Sequence, residues 1–123
     1  MYAMAPPFTT ESARHWVPNA DVYETQEEVV IKADLAGVAR EAIKVTLDAE
    51  TVVISGIREE NQEENAEYYH QVEIEYGVFR RVIHIPCAVD GDRARAVYRD
   101  GFLFVIIPKA PRPVTIHTVI EIF

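Results

Sequence analysis

The amino-acid sequence predicts an all-β fold, an antiparallel β-sandwich, from three observations. Several short segments alternate apolar with polar residues, which is the period of a strand with one buried face. Turn residues separate these segments at a spacing of roughly 8 to 12 residues, which is typical of sandwiches. No stretch of useful length shows the 3.6-residue period of an amphipathic helix.

Each predicted strand is a short segment in which apolar and polar residues alternate, bounded by turn-like residues. Asp100 and Gly101 separate the last two runs. Asp-Gly is the strongest short hairpin signal, since both central residues of the tight turn need positive φ. The runs are VVIKADL (29–35), IKVTLD (43–48), TVVISG (51–56), VFRRVIHIP (78–86), RARAVYR (93–99) and FLFVIIP (102–108).

Composition disfavours several classes of protein. The chain has 123 residues, 49% of them hydrophobic, so we expect one folded domain. The formal charge of −8 argues against a nucleic-acid or anionic-membrane partner, since both need a basic surface. The lone Cys87 fits a reducing compartment, and we expect the cytoplasm. We see neither a secretory signal nor a run of ~18 apolar residues that could span a membrane.

The motifs that indicate an enzyme are missing. Neither glycine-rich phosphate-binding motif occurs, so we expect no nucleotide cofactor. Ser12 and Ser55 lie in no nucleophile elbow, and Cys87 has no evident base beside it. The histidines have no metal-ligand spacing, so we expect no metal and no catalytic residues. These histidines are His15, His70, His84 and His117.

The segment 58–77 separates two predicted strands by more than an ordinary hairpin loop. From Arg58 to Glu75 it carries seven glutamates against one arginine. A solvated charge run explains them better than a calcium site or an acid/base pair, because no Asp/Gly ligand loop accompanies them. Within it, YYHQVEI has the aromatic and β-branched content of a strand. Since this strand cannot easily pair with its own flanks, we expect it to pair with another chain.

The C-terminal segment has the pattern of a strand that follows a stiff spacer. PKAPRP contains three prolines in six residues, which favours an extended connection. VTIHTVIEI then alternates apolar with polar residues. We expect a strand held away from its own domain that adds to another sheet edge or groove.

Arg81 is an unusual residue within its predicted strand. Alternation places it on the same face as Phe79, Ile83 and Ile85, and sends Arg80 to the opposite face. A guanidinium on an apolar face needs carbonyl or carboxylate partners. An exposed arginine at a strand edge is the simpler reading, but we favour a structural arginine that fixes the strand and an interface.

Five segments resemble the α-crystallin domain of the small heat-shock proteins, of the bacterial type. AVYRDGFLFVIIPK resembles the Ala-x-x-x-x-Gly-x-Leu motif. YHQVEIEYGVFRRVIHIP, DLAGVAREAIKV and VVISGIREE are similar to the family's strand-exchange, Leu-Pro-Gly and Leu-x-Ile-x-Gly-x-Arg segments. The last segment, Ile120 to Ile122, is similar to the C-terminal Ile-x-Ile motif. Together they cover residues 16–122 in order.

The resemblance implies an immunoglobulin-like sandwich and an ATP-independent chaperone, or holdase. Such a protein binds partly unfolded clients under stress and passes them to ATP-dependent chaperones. Residues 1–15 would form a short flexible N-terminal arm, 16–108 the α-crystallin domain with its strand-exchange loop 58–77, and 109–123 the C-terminal extension.

The resemblance also implies a homodimer that assembles into larger homo-oligomers. In the dimer, the loop strand would pair with the partner's edge strand near NADVYE. In the oligomer, the tail of Ile120, Glu121 and Ile122 would bind a groove of a neighbouring dimer. The expected exchange strand contains Tyr69, His70, Gln71, Val72 and Glu73. The expected groove contains Ile43, Val45, Leu47, Arg93, Arg95 and Val97.

The sequence departs from the family pattern at three places. Ala36 replaces the proline of Leu-Pro-Gly, Ile74 stands where the family often has arginine, and the N-terminal arm is short. Two other classes of protein remain open. One is a CS-domain-like adaptor or co-chaperone that binds a folded partner, although such adaptors lack the Ile-x-Ile tail. The other is an enzyme or carbohydrate-binding module, for which Trp16 offers weak support.

Overall fold

A computed structural model describes residues 15–61, 65–114 and 116–123. Nine strands within these ranges form two sheets that pack face to face. The first sheet has the order β1-β6-β5-β4-β9 and the second has the order β2-β3-β8-β7. The strands are β1 (His15–Trp16), β2 (Ala20–Glu24), β3 (Glu28–Asp34), β4 (Ile43–Asp48), β5 (Thr51–Arg58), β6 (Gly77–His84), β7 (Arg95–Arg99), β8 (Phe102–Pro108) and β9 (His117–Ile120).

The sandwich and its six central strands confirm the sequence prediction. Strands β3 to β8 fall on the six predicted runs, with ends that differ by a few residues. The β7–β8 hairpin turns at Asp100 and Gly101, whose φ angles of 54° and 83° are both positive, as a two-residue turn of this kind requires. Residues 1–14 of the expected N-terminal arm lie outside the described residues.

The core lies between the two sheets and follows from the alternation along each strand. In β4 and β8, every second residue is buried while its neighbours are exposed or half-buried. At Gly56 the backbone of β5 lies in close contact with Ala42 and Phe79. A Cβ at this position would overlap the carbonyl oxygen of Ala42 and lie 2.7 Å from Cζ of Phe79. The largest fully buried side chains include Phe79, Ile31, Leu35, Leu47, Ile54, Leu103 and Ile107.

The two ends of the described chain each cross from one sheet to the other. At one end, β1 pairs in parallel with β6, and β2 then pairs with β3 in the second sheet. At the other end, β9 pairs with β4, and Ile122 then bridges to Ala96 of β7. The segments that precede β3 and follow β8 therefore each pair with strands of both sheets.

Two short 3-10 helices, Arg40–Ala42 and Gly91–Arg93, lead into β4 and β7. The second is capped by Asp90, whose side chain accepts a hydrogen bond of 3.1 Å from the backbone nitrogen of Asp92. Among the described residues, no helix is long and apolar enough to cross a membrane.

Candidate interaction groove

The groove between the edges of β4 and β7 is the candidate functional site. Its β4 side is built from a strand whose apolar residues all point inward. Ile43 is 7% exposed, and Val45 and Leu47 are fully buried, while Lys44 between the first two is exposed. Three of the predicted groove residues therefore share one face.

The tail strand β9 occupies the β4 side of this groove. It pairs antiparallel with β4, and Val45 lies opposite Ile120. The side chain of Ile120 is only 5% exposed, whereas that of Val119 is 60% exposed. The strand therefore inserts one apolar face and leaves the other in solvent, as the two-residue period predicts.

The end of the tail lies against β7. Ile122 bridges to Ala96, and the backbone nitrogen of Phe123 donates a 2.9 Å hydrogen bond to the carbonyl oxygen of Ala96. The backbone nitrogen of Tyr98 donates a 2.8 Å hydrogen bond to the carbonyl oxygen of Phe123. Glu121, between the two isoleucines, is exposed. One extended segment thus binds main-chain groups of both sheets.

The position of the tail differs from the sequence-based expectation that it is held away from its own domain. The proline-rich spacer runs along the domain, because several backbone nitrogens in and next to it donate hydrogen bonds there. The backbone nitrogen of Ala110 donates a 3.0 Å hydrogen bond to the carbonyl oxygen of Ala88. The backbone nitrogen of Val114 donates a 3.4 Å hydrogen bond to the carbonyl oxygen of Val89. The spacer is therefore fixed to the domain surface rather than projecting from it.

The β7 side of the groove also differs from the prediction. Ala96 and Tyr98 face the tail and the core, so the alternating residues Arg95 and Val97 face outward. Val97 lies opposite Phe104 and lines a shallow depression on the outer face of the second sheet. Arg93, which is exposed, ends the 3-10 helix that lies beside β9. The predicted set is thus offset by one residue on β7, and such an offset reverses the face of every side chain.

A side-chain contact lies at the start of the paired tail. Nδ1 of His117 contacts Oδ1 of Asp48, directly across the β4–β9 pair. Both side chains are more than half exposed, so this contact adds little stability. The nitrogen of Ala49 also donates a 2.7 Å hydrogen bond to the carbonyl oxygen of Ile116. The tail is therefore aligned on β4 from Ile116 onward.

The predicted exchange strand has no regular structure and lies away from the groove. Its residues belong to the connection between β5 and β6, and Tyr69, His70, Gln71, Val72 and Glu73 are all exposed. The side-chain nitrogen of Gln71 donates a 2.7 Å hydrogen bond to a carboxylate oxygen of Glu73.

The predicted receiver of this strand, β2, is one of the two edge strands of the second sheet. Its side chains Val22 and Tyr23 are 42% and 47% exposed. The structure thus leaves both halves of the predicted pairing accessible, without bringing them together.

The structure places Arg81 on the inner face of β6, beside Phe79 and Ile83. Its side chain is half-buried, and Nη1 donates a 3.0 Å hydrogen bond to the carbonyl oxygen of Pro18. Pro18 is fully buried in the segment where the chain crosses from β1 to β2. Arg80 on the neighbouring position is exposed. The guanidinium therefore ties the N-terminal crossing to the strand that follows the loop.

Arg58 and Trp16 form a second structural cluster, which the sequence did not reveal. The Arg58 guanidinium lies 4.1 Å from the centroid of the Trp16 ring, and Nη1 donates a 2.7 Å hydrogen bond to the carbonyl oxygen of Glu75. Trp16 is only 8% exposed, packs on Phe79 and donates from Nε1 to the carbonyl oxygen of Gly77 at 3.0 Å. Trp16 is thus a core residue rather than a carbohydrate platform.

The geometry of the groove suits binding of an extended peptide. A strand that lies between β4 and β7 gains main-chain hydrogen bonds from both edges, and alternate apolar side chains enter the interior. In the described part of the chain, no group of three or more histidine, cysteine, aspartate or glutamate residues could hold a metal ion. The contacts seen in the groove are those of the chain's own tail, which pairs through its backbone and buries the side chain of Ile120.

Comparison with known sequences agrees with this geometry. Residues 21–122 match the model of the Hsp20/alpha crystallin family. The chain is similar to Spore protein SP21 of Stigmatella aurantiaca, with 41% identity over 96 residues. That alignment covers 78% of this chain and 57% of the relative, so the chain spans less than two thirds of that relative's length.

Comparison with solved structures gives the same result. Heat shock protein 16.0 from Schizosaccharomyces pombe matches with a TM-score of 0.72 and 31% identity, over 81% of this chain and 93% of that one. A small heat-shock protein from Xylella fastidiosa matches with a TM-score of 0.68 and 32% identity, over 81% of this chain and 95% of that one. The structure of that protein is described as revealing a distinct high order structure. The chain therefore belongs to the Hsp20/alpha crystallin family, the family of the small heat-shock protein chaperones.

Proposed function

We propose that this protein is an ATP-independent holdase that binds partly unfolded proteins under stress and keeps them soluble. The observation that carries the proposal is the groove between β4 and β7, which takes an extended apolar strand by main-chain pairing. Membership of a family of chaperones supports the same role.

The groove fits unfolded clients because unfolding exposes extended apolar segments. The tail demonstrates the required pattern, since Ile120 and Ile122 alternate with the exposed Glu121. A client segment with apolar residues at two alternate positions meets the same requirement. Binding by main-chain hydrogen bonds tolerates varied sequences, because every residue other than proline offers the same donor and acceptor.

The holdase works as a homodimer that assembles further. We propose that the exposed loop strand, with Tyr69 and Val72, pairs with the β2 edge of a partner. In larger assemblies, the tail of one dimer occupies the groove of another. The high order structure of the Xylella relative supports this proposal. We further propose that the protein acts in the cytoplasm and passes its clients to ATP-dependent chaperones.

The proposal is tested by light scattering from an aggregation-prone client, heated without nucleotide. We expect the protein to suppress scattering at a near-equimolar ratio. A synthetic peptide of residues 116–123 should compete for the groove and restore scattering. The control peptide carries Ile120→Ala and Ile122→Ala, and should have no effect. Unchanged client aggregation in the presence of the protein would contradict the holdase function.

A further inference from the structure

We propose that Arg58 is a positioning residue for the loop 58–77: its guanidinium holds the closing end of the loop and so sets the direction from which the exposed loop strand meets a partner. The arrangement around Arg58 rests on the structure, whereas its effect on pairing rests on the proposed homodimer. Local order at the base of the loop and the affinity of the dimer are separate quantities, and each can be measured without the other.

The Arg58 side chain contacts three segments that are far apart in the sequence. Its Nε donates a 3.0 Å hydrogen bond to the carbonyl oxygen of Ala36, in the turn that follows β3. Its Nη1 donates a 2.7 Å hydrogen bond to the carbonyl oxygen of Glu75, near the end of the loop. Its Cζ lies 4.1 Å from the centroid of the Trp16 ring in β1. One side chain therefore joins the N-terminal strand, the turn after β3 and the loop, which suits the fixed planar fork of a guanidinium.

The segment that Arg58 holds is the last part of the loop before β6. Residues 65–76 form no strand or helix, and β6 begins at Gly77, whose φ of 104° is accessible to glycine but rarely to other residues. Trp16 donates from Nε1 to the carbonyl oxygen of Gly77 at 3.0 Å, two residues after the carbonyl that Arg58 binds. Arg58 and Trp16 thus hold two carbonyl groups where the chain turns into β6, and together they fix the direction in which the loop leaves the sheet.

The contacts of Arg58 are made with backbone carbonyls and an aromatic ring, although the loop is rich in carboxylates. Arg58 is the only lysine or arginine of the segment 58–75, which also contains seven glutamates. The atom of Glu75 that it binds is nevertheless the carbonyl oxygen. Hydrogen bonds from a charged donor are stronger than those between neutral groups. Loss of the carboxylate at position 75 should therefore leave the loop in place, whereas loss of the guanidinium fork should release it.

The exposed loop strand lies within a few residues of this anchor. Val72 is 42% exposed and lies three residues before Glu75, a separation of about 10 Å in an extended chain. Ile74, next to the anchor, is 65% exposed. Once Glu75 is released, the strand samples many orientations, and pairing with a partner must then order it against its conformational entropy. Arg58 therefore raises the affinity of the dimer although it is not part of the predicted exchange strand.

Three single substitutions separate the guanidinium from its charge and its surroundings. Arg58→Lys keeps the positive charge but lacks the fork that reaches Ala36 and Glu75 together. Arg80→Lys is the matched control, because it makes the same exchange at an exposed position of β6. Glu75→Gln is the second control, because it removes the carboxylate and keeps the carbonyl that Arg58 binds.

Cleavage by a glutamate-specific protease measures the order at the base of the loop. Cleavage after Glu75 needs the start of β6 to detach, whereas cleavage after the exposed Glu67 does not and serves as an internal standard. We expect Arg58→Lys to raise the ratio of Glu75 to Glu67 cleavage by about tenfold, as loss of one charged hydrogen bond implies. Acrylamide quenching of Trp16, the only tryptophan of the chain, should rise in the same variant and stay unchanged in both controls. An unchanged cleavage ratio in Arg58→Lys would overturn the anchoring role.

Sedimentation over a range of concentrations measures the effect on pairing. The dissociation constant of the dimer should rise about tenfold in Arg58→Lys and keep the parent's value in Arg80→Lys and Glu75→Gln. A merely structural role would lower the free energy of unfolding in urea and leave the dissociation constant of the folded protein unchanged, and that result would overturn the positioning role. Equal weakening by Glu75→Gln and Arg58→Lys would also overturn it, because the contact would then depend on an ion pair.

Failure of the proposed homodimer can be told apart from failure of the positioning role. A parent protein that sediments as a monomer at every concentration would contradict the homodimer. A cleavage ratio raised by Arg58→Lys would then still establish Arg58 as the anchor of the loop, because proteolysis of one chain needs no partner.

Discussion

The guanidinium of Arg81 donates a 3.0 Å hydrogen bond to the carbonyl oxygen of Pro18, a residue 63 positions earlier in the chain. Pro18 is buried where the chain passes from one sheet to the other. This bond connects the N-terminal crossing, which leads into the edge strand β2, with the strand that follows the loop 58–77. The Arg81 side chain therefore links the segment before β2 to the strand after the loop, and β2 and the loop are the two elements of the proposed dimer contact.

Replacement of Arg81 should destabilise the fold selectively. In Arg81→Gly the carbonyl of Pro18 loses its partner, which costs about 1–3 kcal/mol for a buried acceptor. Arg80→Gly is the matched control, because it introduces the same glycine in the same strand at an exposed position. Urea unfolding of both variants gives the difference. Equal free energies of unfolding would show that the bond to Pro18 contributes nothing.

Gly56 should not tolerate a side chain. A methyl group there overlaps the carbonyl oxygen of Ala42 and approaches Cζ of Phe79. We expect Gly56→Ala to lower the free energy of unfolding by about 3 kcal/mol, at the upper end of the usual cost of overpacking. Ser55→Ala, on the outer face of the same strand, is the control. Thermal melts that agree within error for both variants would contradict the close packing of β5 on the Arg40–Ala42 helix.

Removal of the exchange strand should yield monomers. Deletion of residues 66–73 takes away the segment that we propose pairs with the partner's β2, and leaves the base of the loop tied by Arg58 and Glu75. Sedimentation at micromolar concentration checks this. In the full-length chain, Val72→Pro should also weaken the dimer because proline cannot donate to the ladder, whereas Val72→Thr should not. A dimer that survives the deletion rules out strand exchange.

The two isoleucines of the tail should control assembly size. Burial of Ile120 and half-burial of Ile122 are together worth roughly 2 to 4 kcal/mol before ordering costs, so Ile120→Ala with Ile122→Ala should release the tail. We expect this variant to remain a folded dimer while larger oligomers disappear in size-exclusion chromatography. The control, Val119→Ala with Glu121→Ala, changes exposed residues of the same segment. Coincident profiles of the double-isoleucine variant and a parent larger than a dimer would refute tail-mediated assembly.

Much of the fold could be predicted because it depends on patterns within short stretches of the sequence. The alternation along β4 determines which face of the strand is buried. The Asp100–Gly101 pair determines where the chain reverses direction between β7 and β8. The facing of Arg81 follows from the same period. The hairpin of β4 and β5 was also predicted, from the turn-like residues Asp48, Ala49 and Glu50. The φ of 52° at Ala49 was not, because alanine rarely adopts a positive φ.

The placement of the tail could not be predicted from the same patterns. Alternation shows that the segment around Ile120 pairs with something, but the strand edge that it meets depends on contacts between distant residues. The spacer illustrates this, since its prolines suggest projection while Ala110 and Val114 bind it to the domain. On β7 the identity of Ala96 and Tyr98 as groove residues depended on a register that only the folded sheets define.

The most direct test of the account is the recovery of a soluble complex. The protein and an aggregation-prone client are heated together without nucleotide, and the supernatant is separated by size-exclusion chromatography. We predict that both chains elute together at a mass above that of either alone, and that the residue 116–123 peptide diminishes this peak. A client found only in the pellet, while this protein elutes at its own unheated position, would contradict the account.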